Sequence, residues 1–212
     1  MTRARVAVCL LTMALGAGGS ASAQWRPGGV MRIVLLVDSS SAVAPMLTPF
    51  RAGLNGFLDD LQGNPEVTII TTGGQLRVRI PPTTDREKLR SSAARFASDG
   101  GGNSFVDSML EADKRFLKNA PDKRPVFVVL ITDSGESRGS ERIDDYNRFA
   151  NDFRSRGGRA HAIVVKGTNS GMATQIAENL ARNTGGFFET VAIANAVPRT
   201  MKALVERLTA DQ

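Results

Sequence analysis

The chain has 212 residues, 42% of them hydrophobic, which is enough for one folded domain with a core of its own. Its formal net charge is +6, but the basic residues are scattered, and acidic residues interrupt the densest basic stretch, 77–90. This pattern is typical of a solvated surface and argues against a nucleic-acid interface, while weak attraction to anionic surfaces or polymers stays open. The only cysteine, Cys9, lies in an N-terminal apolar run, so the rest of the chain has no disulfide, thiol nucleophile or zinc–thiolate site.

The first 23 residues have the order of a secretory signal peptide. Two arginines form a basic start, an apolar run covers 6–15, and small residues follow up to Ala23. The run is too short to cross a bilayer comfortably, which argues against the alternative of a retained membrane anchor. We therefore expect cleavage after Ala23, a flexible leader over 24–30, and a domain over 31–210 that is periplasmic or secreted, without stable membrane insertion.

The first half of this domain predicts a strand, a helix and a β-hairpin. Met31–Val37 is an almost continuous apolar run, as in a buried strand. Apolar residues then recur at helical spacing over 47–61. The strand-like segments 66–72 and 75–80 flank a Gly-Gly pair, which predicts a tight turn between antiparallel strands.

After the hairpin, the sequence predicts an alternation of helices and strands to the end of the chain. Pro81-Pro82 is expected to end the second hairpin strand, and Thr84 with Glu87 to form a capping box for a helix over 85–97. The most apolar run, 126–131, predicts the central strand. The other predicted elements are a helix from about 104, a helix with Ile143, Tyr146, Ala150 and Phe153 on one side, a strand over 160–165, a helix with Met172, Ile176 and Leu180 on one side, a strand over 187–191, and a closing helix over 197–208.

One early hairpin followed by strand–helix units predicts an α/β fold with helices on both faces of the sheet. We expect a doubly wound, mostly parallel six-stranded sheet with one antiparallel edge strand. Right-handed crossovers then bring the loops after the parallel strands to one edge, where ligands bind in such sheets.

Three oxygen-rich loops are predicted at that edge. Asp38 and three serines follow the first strand, Gly101-Gly102-Asn103-Ser104 precedes a helix, and Thr132-Asp133 follows the central strand. Carboxylates and hydroxyls are hard donors that suit Mg²⁺, Mn²⁺ or Ca²⁺ better than zinc. The alternative is a purely structural role, in which these residues cap helices and hold neighbouring loops by hydrogen bonds.

At these residues the chain resembles the von Willebrand factor A (VWA) family. That family has an Asp-x-Ser-x-Ser motif after the first strand, a threonine from a Gly-Gly-Asn-Thr-like loop and an aspartate after the fourth strand. The resemblance implies a metal-ion-dependent adhesion site made by Asp38, Ser40, Ser104 and Asp133, in which a partner's Asp or Glu completes the coordination of the metal.

Two departures from the family pattern weaken the expected metal site. Ala42 stands where the second serine belongs, so one hydroxyl ligand is missing, and Ser134 replaces the usual glycine after the aspartate. We expect Mg²⁺ or a similar cation such as Mn²⁺ or Ca²⁺ if a metal binds, and hydrogen bonding alone at the same edge otherwise.

Enzymatic functions find less support in the sequence. The only histidine, His161, lies at the start of a predicted strand and the serines follow strand ends, so a serine–histidine pair is not expected, and His161 is predicted to be half-buried. Neither a Gly-x-Ser-x-Gly motif nor a phosphate-binding loop follows a strand. The sequence thus predicts a non-catalytic module that binds a protein partner. The alternatives are a small metal-assisted hydrolase or phosphatase and a metal-free structural component of an envelope complex.

Overall fold

The computed structural model describes residues 30–133, 142–167 and 171–210. The predicted signal peptide, the leader up to residue 29 and Ser134 lie outside these ranges. Within them, no helix is both long and apolar enough to cross a membrane.

The described residues form six strands and six α-helices, and the fold class predicted from the sequence is confirmed. The strands are β1 (Met31–Val37), β2 (Glu66–Thr71), β3 (Arg77–Thr83), β4 (Arg124–Thr132), β5 (Arg159–Val165) and β6 (Phe188–Val191). The helices are α1 (Leu47–Asp60), α2 (Arg86–Ala94), α3 (Phe105–Ala112), α4 (Ile143–Ser155), α5 (Met172–Asn183) and α6 (Val197–Ala210). The sheet order is β3-β2-β1-β4-β5-β6, and only β3 runs antiparallel to its neighbour.

Alternation along the strands divides the core into two apolar layers. Ile33 and Leu35 of β1 face one layer, which α1, α2 and α6 cover. Val34 and Leu36 face the other layer, which α3, α4 and α5 cover. All nine residues of β4 are buried, because helices cover both of its faces.

The strand order places the predicted loops side by side. β1 lies between β2 and β4 and runs parallel to both, so the carboxyl ends of these three strands meet at one edge of the sheet. Neighbouring strands are about 4.8 Å apart, so side chains at the ends of β2 and β4 are roughly 10 Å apart across β1. This edge is called the carboxyl edge below.

The prediction that Pro81-Pro82 ends the hairpin strand was wrong. β3 continues through both prolines to Thr83, and its register with β2 shifts between Val67 and Ile70. β3 is an edge strand, so a residue without an N–H can lie in it where the ladder is already irregular.

The start of α2 and the faces of two later helices also differ from the prediction. Asp85 is the N-cap of α2, and its side chain accepts a hydrogen bond from the backbone N–H of Lys88, so the expected Thr84–Glu87 box is not used. Ile143 and Met172, predicted to face the core, begin α4 and α5 and are exposed. A helical apolar pattern that reaches the first residue of a helix does not show whether a neighbour covers that residue.

Candidate functional site at the carboxyl edge

Asp38 is fully buried at the end of β1, and the fold supplies donors to both of its oxygens. Oδ1 accepts a hydrogen bond from the backbone N–H of Ser40 at 2.8 Å. Oδ2 accepts from the backbone N–H of Thr132 at 3.1 Å and from the Thr132 hydroxyl at 2.6 Å. Asp38 therefore joins the first loop, residues 38–42, to the end of β4. Oδ1 has a single donor and keeps a lone pair for a further ligand, whereas Thr132 occupies both lone pairs of Oδ2.

Three consecutive serines after Asp38 have three different environments. The Ser39 hydroxyl is buried and donates to Asp99 Oδ2 at 2.7 Å. The Ser40 hydroxyl is buried, yet it has no hydrogen-bond partner among the residues that the structure describes. Ser41 is exposed. Ala42 adds no oxygen, so Ser40 Oγ is the one buried hydroxyl of this loop that remains available to a ligand.

Ser104 is attached both to the end of β2 and to its own helix, in which the Ser108 N–H donates to the Ser104 carbonyl at 2.9 Å and the two serine hydroxyls lie 3.1 Å apart. Its backbone N–H and its hydroxyl both donate to the Thr72 carbonyl at 2.8 Å, and the Thr72 N–H donates to the Val37 carbonyl. Its side chain makes no capping bond to α3, although Ser104 is the residue before that helix. Ser104 is thus the N-cap of α3 by position, but its hydroxyl bonds to the end of β2, and two successive hydrogen bonds through Thr72 connect it to the end of β1.

Asp133 follows β4, and one of its oxygens is used to hold the start of α5. Oδ1 accepts from the backbone N–H of Gly171 and from the Thr174 hydroxyl, both at 2.6 Å. Oδ2 accepts no hydrogen bond from the described residues. Oδ1 of Asp133 thus has the structural role of holding a neighbouring segment, and Oδ2 remains available to a ligand.

A further carboxylate, Asp99, supports the first loop through hydrogen bonds to Ser39. Asp99 accepts hydrogen bonds from Ser39, Thr71 and the Arg79 guanidinium, and its own N–H donates to the Ser39 carbonyl. Burial alone would raise the pKa of Asp99, but the hydrogen bonds from Arg79, Ser39 and Thr71 outweigh it and hold the pKa below its ordinary value. Asp99 is therefore charged at neutral pH and fixes the position of Ser39.

Gly73 lets the hairpin approach the first loop closely. The Gly73 N–H donates to Ser39 Oγ at 2.9 Å. A Cβ at residue 73 would lie 2.6 Å from the Ser39 carbonyl carbon and 2.7 Å from its Oγ, which is closer than real Cβ contacts. The hairpin turn thus contributes to the site through the absence of a side chain.

Hydrogen bonds therefore connect the three loops predicted from the sequence. Asp38 and Ser40 lie at the end of β1, Ser104 is tied to the end of β2, and Asp133 follows Thr132 at the end of β4. Sequence reasoning missed the supporting roles of Thr132, Thr174 and Asp99. Only Thr132 had a sequence signal, as a hydroxyl at the end of the most buried strand; the other two act through tertiary contacts.

The oxygens at this edge fit a hard divalent cation in part. The candidate donors are two carboxylates and two hydroxyls, and one of these hydroxyls, Ser40 Oγ, is buried without a protein partner. The described residues contain no group of three acidic, histidine or cysteine side chains that could hold a metal. Any ion at this edge would thus depend on hydroxyls and on ligands from outside the chain.

His161 does not resemble a catalytic base. It is fully buried in β5, which corrects the prediction that it is half-buried, and its Nδ1 accepts a hydrogen bond from the Phe187 N–H at 3.1 Å. A general base must reach the proton that it removes, and the first loop lies at the other end of the strands.

This architecture, with polar loops at the carboxyl edge of a doubly wound sheet, defines an α/β protein of the Rossmann-like class. The family profile of the von Willebrand factor type A domain matches residues 33–205. The chain belongs to the VWA family, whose domains are generally binding modules and not enzymes. Comparison of the sequence with curated proteins gives no match.

Solved structures support the same fold. A von Willebrand factor type A protein from Catenulispora acidiphila superposes with a TM-score of 0.66 at 13% identity, over 84% of this chain and 42% of that one. BatB from Bacteroides thetaiotaomicron gives 0.63 at 13% identity, over 85% and 99%. The manganese-loaded TRAP protein of Plasmodium vivax gives 0.57 at 17% identity, over 82% and 74%. This chain thus spans less than half of the Catenulispora protein.

Proposed function

We propose that this domain is an exported, non-catalytic module that binds a protein partner through its carboxyl edge. In this proposal Asp38, Ser40, Ser104 and Asp133 hold a divalent cation, Mg²⁺ by preference or Mn²⁺ or Ca²⁺, and a carboxylate of the partner completes its coordination. The domain acts in the periplasm or outside the cell.

The observation that carries the proposal is the Ser40 hydroxyl. A buried hydroxyl without a partner costs about 1–3 kcal/mol. Thr68 and Thr200 also have such hydroxyls, but they lie within β2 and α6, whereas Ser40 lies in the loop after β1 at the carboxyl edge. Ser40 follows Asp38 at the spacing of the family's motif, and its backbone N–H orients the Asp38 carboxylate. An ion held between the two would give Ser40 Oγ the partner that the described protein residues do not give it.

The donor set explains why a partner would bind through the metal. Asp38 and Asp133 each use oxygens to hold the protein together, and the other two donors are neutral hydroxyls. When bound, a cation with few protein carboxylates stays electrophilic and attracts an external carboxylate. The manganese in the TRAP structure shows that one protein of similar fold takes such an ion.

Isothermal titration with Mg²⁺, Mn²⁺ and Ca²⁺ tests the metal with a matched pair of variants. Ser40→Ala removes the buried, unpartnered hydroxyl, and Ser41→Ala removes an exposed hydroxyl from the next residue. We expect metal-dependent heat in the wild type and in Ser41→Ala and its loss in Ser40→Ala. No heat in the wild type, or equal heat in both variants, would refute the cation.

A separate experiment tests the partner. Crosslinked capture from the native cell envelope is compared with and without EDTA, using the wild type and Ser40→Ala. A protein captured by the wild type, and lost both with EDTA and in Ser40→Ala, supports the proposed edge. Capture that neither change affects would assign the interaction to another surface or to a metal-free structural role.

A further inference from the structure

A cavity of about 310 Å³ lies behind the first loop, between the hairpin and helices α1 and α2. Its floor is apolar: Leu54 of α1, Ile69 of β2, and Ala93 and Phe96 at the end of α2. The Phe96 ring stacks on the Phe50 ring, with 6.0 Å between the two ring centroids. The volume lies at the small end of the range for ligand pockets, which are mostly apolar with a few polar groups that orient the ligand.

The charged groups that line this cavity are mostly cationic. They are Arg79, Arg95 and Asp99. Arg79 is paired with Asp99, but the exposed Arg95 has no ion pair among the described residues. Arg77 adds a guanidinium nitrogen 3.6 Å from Asp99. Asp99 is thus paired with Arg77 and Arg79, and the Arg95 fork, which lines the same cavity, is free to bind an external anion in bidentate fashion.

We propose that this cavity binds a small amphipathic anion, a carboxylate or sulfonate with a short aromatic or aliphatic body. The anionic group pairs with Arg95 and reaches toward Arg79, and the apolar body lies against Ile69 and Phe96. Charge complementarity favours this occupant over a neutral or cationic one of the same size.

Occupation of the cavity is transmitted to the first loop through Asp99. An anion beside Arg79 competes with Asp99 for the guanidinium, and Asp99 also accepts from Ser39 and donates its N–H to Ser39. Ser39 in turn accepts from the Gly73 N–H. The amide signals of Asp99 and Gly73 should therefore report on the ligand without any metal present, so this inference stands independently of the cation site.

Binding is measured by NMR amide shifts of the full chain with 4-phenylbutyrate, and with the neutral analogue 4-phenyl-1-butanol as the control ligand. A ligand of this size is expected to bind in the millimolar range. We expect saturable shifts for Asp99 and Gly73 with the carboxylate and at least about tenfold weaker binding of the alcohol, because a hydrogen bond to a charged group is lost.

Two variants localise the binding. Arg95→Gln should weaken binding of 4-phenylbutyrate about tenfold, and Arg154→Gln, which removes an exposed arginine from α4, should leave it unchanged. Ala97→Trp places a bulky group at an exposed lining residue and should block the cavity without changing the core. Equal binding of acid and alcohol, unchanged binding in both Arg95→Gln and Ala97→Trp, or no saturable shift in the wild type would overturn the proposal.

Discussion

Thr132 donates two hydrogen bonds to a single oxygen of Asp38, one from its backbone N–H at 3.1 Å and one from its hydroxyl at 2.6 Å. Both residues are buried, and they are 94 positions apart in the chain. A carboxylate charge buried at the end of β1 is thus stabilised by the end of β4, and the carboxyl edge is organised before any ligand arrives.

Replacing Thr132 by valine should destabilise the domain by about 1–3 kcal/mol, because a hydroxyl donor to a buried carboxylate is lost. Urea unfolding measures the change. Thr68→Val is the matched control, since the Thr68 hydroxyl is buried in β2 without a partner among the described residues. That control should be neutral or stabilising by up to about 1 kcal/mol. Similar losses of unfolding free energy in Thr132→Val and Thr68→Val would show that the change in side-chain shape, and not the lost hydrogen bond, determines the effect.

Ala42→Ser restores the hydroxyl that the family motif contains and should strengthen Mg²⁺ binding. Even groups outside the first ligand shell change metal affinity about 10- to 100-fold, so at least about a tenfold gain is expected. Titration calorimetry compares it with Ala44→Ser, which adds a hydroxyl to an exposed residue two positions later. An equal gain in both variants, or none in Ala42→Ser, would mean that residue 42 does not face the ion.

The stability that Asp99 contributes should disappear in acid. Hydrogen bonds from Arg79, Ser39 and Thr71 overcome the effect of burial and lower the pKa of Asp99 from 3.8, so its contribution is present above that value and is lost as the pH falls through the lower, folded pKa. Near neutral pH, Asp99→Asn should cost about 1–2 kcal/mol.

Unfolding free energies measured from neutral to strongly acidic pH test this sign. The difference between the wild type and Asp99→Asn should be constant near neutrality and should shrink below about pH 4. Asp122→Asn removes an equal charge from an exposed residue that has no ion pair among those described. If the difference in unfolding free energy between the wild type and Asp99→Asn grows on acidification, the lowered pKa of Asp99 is contradicted.

Gly73→Ala should destabilise the domain by about 1–3 kcal/mol, because the added methyl group forces Ser39 and the hairpin apart. Gly56→Ala in α1 is the opposite case, since a Cβ there meets nothing within 4 Å. That variant should be stabilising by about 0.5–1 kcal/mol through helix propensity. Thermal unfolding of the two variants should shift in opposite directions, and a loss in both would exclude the close approach as the cause.

The sequence predicts the class of sheet, mostly parallel with one antiparallel edge strand, because this class follows from local patterns. Continuous apolar runs identify buried strands such as β1 and β4, and the connection rules then place Asp38 and Asp133 at one edge. The polar contacts were harder to predict. Nothing in the sequence distinguishes Ser39, which donates to Asp99, from Ser40, which finds no protein partner. That difference depends on loops 60 residues apart.

The prolines in β3 limit how this sheet can be extended. Strand edges expose unpaired N–H and C=O groups to which a second chain can add, and Pro81 and Pro82 leave two residues of the edge strand β3 without an amide donor. The opposite margin is β6, with only four residues. Both open margins are thus poor templates for strand addition. A domain with this sheet should resist fibre formation at high concentration even though its central strands are strongly apolar.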